Sequence, residues 1–130
     1  MSGERGLPED PGIWLARARS SLHLAEMENP GIFYEDLCYQ TQQAVEKAIK
    51  AIFISRNISY PYIHNINTLL TILEMQGFFI PEQIWIVSKL TVYATGTRYP
   101  GFEPVTQAEY HEALRYAREA IVWAEEMIGK

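Results

Sequence analysis

Apolar positions recur every three or four residues along most of the chain, the spacing that puts them on one face of an α-helix. The first stripe starts near Ile13 and comprises Trp14, Ala18, Ser21, Leu22 and Ala25, with Arg17, Arg19 and Glu26 lying off it. It stops at Asn29-Pro30-Gly31, where proline lacks a backbone donor and glycine favours a turn. The strongest stripe follows: Tyr34, Leu37, Cys38, Thr41, Ala44, Val45, Ala48, Ile49, Ile52 and Phe53 predict a second helix running to about Arg56. Its other face carries Glu35, Gln42, Gln43, Glu46, Lys47 and Lys50, with Glu46 and Lys50 in the favourable acid-first i,i+4 order. A third helix is predicted over 66–76, with Asn65 or Asn67 as N-cap and Gly77 after it. A fourth starts at Pro81-Glu82 and runs to about Ala94, although Thr91-Val92-Tyr93 has strand-like propensity. Two prolines and two glycines make 95–104 a loop. Thr106 and Glu109 then form a capping box ahead of the last stripe, Tyr110, Leu114, Ala117, Ile121, Ala124 and Ile128. Without repeats or a convincing strand pair, the pattern predicts an all-α, antiparallel bundle of about five helices, with the second and fifth as the core pair.

Composition narrows the class. A chain of 130 residues that is 48% apolar can bury a real core in one domain and has no room for two. Residues 1–10 are rich in glycine, proline and charge and read as a disordered tail, leaving 11–130 as the domain. No apolar run approaches the length of a membrane span, and the first ten residues contain no apolar signal core, so a cytoplasmic location is expected. With 11 Lys+Arg against 16 Asp+Glu the net charge is −5, which argues against non-specific coating of nucleic acid.

Familiar catalytic signatures are absent: there is no phosphate loop, no paired-histidine metal motif and no nucleophile elbow. His23, His64 and His111 are far apart in sequence, so neither a metal nor another cofactor is expected. Cys38 falls within the apolar stripe and reads as a small buried hydrophobe. Arg56 and His64 bracket a loop after the second helix. An imidazole can act as general acid or base, and a guanidinium can hold a phosphate through two hydrogen bonds. The plainer reading is that Arg56 is a cation at a helix C-terminus and His64 orients the third helix. In the long loop, Arg98-Tyr99-Pro100 could stack on a base or grip a phosphate, or simply brace the loop. Tyr60, Tyr62, Ile63, Phe78, Phe79, Tyr99 and Phe102 fall in predicted loops and suggest an apolar patch suited to a subunit interface.

These residues together resemble a known family. The block Gln42-Gln43-Ala44-Val45-Glu46-Lys47-Ala48-Ile49-Lys50-Ala51 is similar to the second helix of prokaryotic HEPN domains. Arg56-Asn57, His64-Asn65-Ile66 and Arg98-Tyr99-Pro100 follow in the family's order, and the resemblance spans roughly residues 13–128. It implies a bundle of four to five helices that pairs as a homodimer. Many such domains are metal-independent endoribonucleases, often toxins, in which dimerisation joins two Arg/His sets in one cleft. Others bind nucleotides, or work with a small nucleotidyltransferase that can act as the antitoxin. Carried over, the resemblance makes Arg56, Asn57 and His64 the catalytic candidates and Arg98 and Tyr99 a structural or ligand-binding element; beside them Lys50 is a further candidate for binding RNA or a nucleotide. Seven residues separate Arg56 from His64, one more than the family usually has, so the loop must curl back to join them. The net charge would then exclude broad nucleic-acid binding by one chain, but not a small cleft where two subunits pool Arg56, His64 and Lys50.

Overall fold

A computed structural model describes residues 10–94 and 103–129. Five α-helices follow one another: α1 (Pro11–Ala25), α2 (Tyr34–Ser55), α3 (Ile66–Met75), α4 (Glu82–Trp85) and α5 (Gln107–Ile128). No strand occurs among the described residues, so the all-α bundle expected from the pattern is the observed architecture.

Helix ends follow local chemistry. Asp10, assigned above to the tail, is the N-cap of α1, and its carboxylate accepts a 2.8 Å hydrogen bond from the Gly12 amide. Pro11 at the first helical position needs no such partner, so α1 starts two residues before Ile13; residues 1–9 lie outside the described residues. Asn65, of the two candidates, caps α3 by accepting from the Thr68 amide. The Thr106–Glu109 capping box forms in both directions. The fourth helix is the exception. After one α-turn it tightens to a 3-10 helix over Ile86–Tyr93. Ile86, Val87, Thr91 and Val92 are β-branched and weaken the α form there.

Packing sets the direction of each helix. At the start of α2, Glu35 accepts from the Val105 amide just ahead of α5, while at the other end Arg56 reaches the carbonyl of Met127. The two long helices therefore run the same way. α1 runs against both, with Lys47 donating to Ser21 and with Arg19–Glu125 and Arg118–Glu26 ion pairs between α1 and α5. The most extensive packing is between α1 and α2, followed by α2 against α5. Ile49, Ile52, Phe53, Leu70, Tyr110 and Ile121 are fully buried in the common core. Tyr110 stacks on Tyr34 at 5.1 Å and donates a 2.6 Å hydrogen bond to the Ala25 carbonyl. No helix among the described residues is long and apolar enough to cross a membrane.

Of the loop aromatics, Tyr60 and Phe78 pack against the core together with Ile63, whereas Tyr62 and Phe79 stand in solvent. Tyr99 and Phe102 lie outside the described residues.

Candidate functional site

Arg56 caps the C-terminus of α2, and the next residue turns the chain. Asn57 adopts φ 59°, a left-handed conformation that asparagine tolerates better than most residues. The Ile58 amide then donates to the Phe53 carbonyl at 2.9 Å and the Asn57 amide to that of Ile54 at 3.1 Å, closing the helix end. Asn57 thus has a backbone role that its residue type alone explains. The Arg56 guanidinium donates to the Met127 carbonyl at 2.7 Å and lies 5.2 Å from the Phe78 ring centre.

His64 looks elsewhere. Its Nδ1 lies 3.0 and 3.1 Å from the two carboxylate oxygens of Glu46. A carboxylate only accepts, so Nδ1 carries the proton and donates. The imidazole is 71% exposed, whereas the Glu46 side chain is only 11% exposed. A fully buried Gln42 donates its side-chain amide to the same carboxylate. In the neutral ring the outward Nε2 is then the basic nitrogen, oriented by a buried anion. Arg56 and His64 have different anchors, the Met127 carbonyl and the Glu46 carboxylate, and the two side chains make no hydrogen bond to each other.

Glu46 is the residue that pattern reading missed. It belongs to the polar set of α2, where its spacing pairs it with Lys50. In the folded chain its carboxylate goes to His64, and Lys50 turns to two aromatic faces, 4.1 Å from the Trp14 ring centre and 5.2 Å from that of Tyr60. The signal was present in the Gln42–Glu46 i,i+4 spacing, which lets the amide brace the carboxylate within one helix. Tyr60 sits edge-on to Phe53 at 5.2 Å. Burial, reinforced by the charge of Glu46, holds its phenol protonated well above the usual tyrosine range.

The other two histidines have separate carboxylate neighbours, Glu26 for His23 and Glu28 for His111. No group of three or more His, Cys, Asp or Glu able to hold a metal occurs among the described residues. Cys38 is buried and unbridged. Arg98 and Tyr99 lie outside the described residues. Two clefts open away from His64. One, of about 590 Å³, includes Glu28, Phe33, Tyr34 and Gln107; the other, of about 390 Å³, lies between α4 and α5 beside Arg118 and Trp123. Neither includes Arg56 or Lys50.

Fold and site together define a small helical domain with an exposed histidine braced by a buried carboxylate. The chain belongs to the HEPN domain family, whose model matches residues 12–127. It is similar to the crystal structure of TT1696 from Thermus thermophilus, with 30% identity over 90% of this chain and 97% of that one and a TM-score of 0.78. It shares its fold with ST0689, an archaeal HEPN homologue, at 23% identity over 92% of this chain and 98% of the other and a TM-score of 0.75. No curated protein matches the sequence.

Proposed function

We propose that this HEPN-domain protein is a metal-independent endoribonuclease, acting as the toxin of a pair whose antitoxin is a nucleotidyltransferase. The observation that carries the reading is the Glu46–His64 pair, 3.0 Å apart, which leaves Nε2 as a base facing solvent. In the reaction, Nε2 takes the proton of a ribose 2′-hydroxyl, and the 2′ oxygen attacks the adjacent phosphorus. The bond from phosphorus to the 5′ oxygen breaks, leaving a 2′,3′-cyclic phosphate and a 5′-hydroxyl protonated from solvent. Arg56 stabilises the charge on the phosphate, with Asn57 holding the turn that presents it. Because Arg56 and His64 have different anchors in one chain, the reading includes a symmetric homodimer that pools two Arg56/His64 sets.

The test is incubation of single-stranded RNA with the protein in EDTA, alongside His64→Ala. Cyclic-phosphate ends that disappear with the variant support the reading; intact RNA after long incubation with a folded, dimeric protein overturns it. A second reading, a non-catalytic module that binds nucleotides or a nucleotidyltransferase, is favoured by one observation. The Arg56 guanidinium is already engaged by the Met127 carbonyl. Calorimetry with ATP, and co-purification with a nucleotidyltransferase encoded beside the gene, test that alternative.

A further inference from the structure

We propose that Arg17, Lys47 and Lys50, gathered where α1 packs on α2, form a binding site for the phosphate groups of a nucleotide or RNA chain. The antiparallel pairing of the two helices brings them together. Trp14, Arg17 and Ser21 are spaced three and four residues apart on α1, and Lys47 and Lys50 are one turn apart on α2. Lys50 Nζ sits 4.1 Å from the Trp14 ring centre, the Arg17 guanidinium sits 5.1 Å from the same ring, and Lys47 Nζ donates to Ser21 Oγ at 2.8 Å.

What sets this cluster apart is its missing counter-charge. Elsewhere on the bundle Arg19 pairs with Glu125, Arg118 with Glu26 and Arg115 with Glu119, while Arg56 is held by the Met127 carbonyl. Among the described residues, no carboxylate forms an ion pair with Arg17, Lys47 or Lys50. Acids outnumber bases in this chain, so the gap does not come from scarcity. Glu46, whose charge acts on Lys47, is engaged by His64 and Gln42. Three cations held together without an anion repel one another. Lys47 shows the strain: desolvation first, then the charge of Arg17, lowers its pKa, and Glu46 only partly opposes this. A bound phosphate would supply the absent charge.

The surroundings favour a nucleotide over a bare anion. Trp14 and Tyr60 flank Lys50, and aromatic faces beside cations are where bases stack. Glu46, one turn before Lys50 on α2, holds His64 at 3.0 Å, so the strip continues from Lys50 to His64. A chain whose phosphate rests on Lys50 is thereby led toward the His64 imidazole. The inference shares with the proposed function a phosphate-bearing ligand, but it does not require cleavage.

The experiment is fluorescence polarisation of a labelled 2′-O-methyl RNA decamer, which lacks the attacking hydroxyl, with calorimetry of ATP in parallel. The wild-type protein is expected to bind at least one of them. Arg17→Ala/Lys50→Ala, and separately Lys47→Gln, should weaken that binding at least tenfold, with helicity checked by circular dichroism. Arg115→Ala, on another face, should leave it within twofold. Binding of RNA alone assigns the site to phosphodiesters; binding of ATP alone assigns it to free nucleotides. Binding of neither, or binding that Arg17→Ala/Lys50→Ala leaves unchanged or that Arg115→Ala weakens equally, overturns the site. Retained decamer binding by a wild-type protein that never cuts RNA overturns only the nuclease reading.

Discussion

Arg56 donates a 2.7 Å hydrogen bond to the backbone carbonyl of Met127, joining the C-terminal ends of two helices that run in the same direction. That carbonyl belongs to the last turn of α5, where orphan acceptors and the helix dipole both favour a cation. Replacing Arg56 with alanine should therefore cost about 1 kcal/mol of stability, lowering the melting temperature by a few degrees. Thermal melts check this. Cleavage measured well below the melting temperature then separates a chemical role from a structural one, since only the former removes activity from a folded variant.

In the proposed reaction the Glu46–His64 pair divides orientation from chemistry. His64→Ala should reduce RNA cleavage by about 100-fold or more, the usual loss on removing a general base. Glu46→Gln should lower kcat by a smaller factor while leaving KM nearly unchanged, because a positioning residue does not touch the substrate. Equal activity of Glu46→Gln and wild type, with helicity intact, would remove the carboxylate from the mechanism.

Tyr60 gives the fold an alkaline limit. Its phenol keeps its proton in the folded chain above the pH at which a free tyrosine ionises, because burial and then the charge of Glu46 disfavour the anion. Above about pH 10 the unfolded chain has released that proton and the folded chain has not. The contribution of Tyr60 is therefore complete below about pH 10 and is lost as the pH rises further. Urea midpoints from pH 9 to 11 should fall, and Tyr60→Phe should make the fall shallower.

Phe53, in the last turn of α2, is fully buried and meets Tyr60 edge-on. Phe53→Ala should cost about 3–5 kcal/mol. Thr106→Ala, which removes one half of the α5 capping box, should cost about 1 kcal/mol. Denaturant unfolding measures both, and a Phe53→Ala loss no larger than that of Thr106→Ala would contradict the tight packing of Phe53.

Helix positions were readable before folding because their causes lie within a few residues. The i, i+3 and i+4 spacings of the apolar stripes define the buried faces of α2 and α5. The caps at Asn65 and Thr106 bond to amides three residues away. Even the misplaced start of α1 had a local signal, Asp10 followed by Pro11, and the family resemblance drew on the same local blocks. The candidate site is different in kind. His64 reaches Glu46 across 18 residues, Lys47 reaches Ser21 across 26, and Arg56 reaches Met127 across 71. Polar side chains choose partners by distance in space and by which charges burial leaves unsolvated, and neither is encoded in spacing along the chain. Pattern therefore set the helices and their buried faces. The packing of α1, α2 and α5 decided that Glu46 serves His64, that Lys50 turns to Trp14, and that Arg56 and His64 are anchored apart.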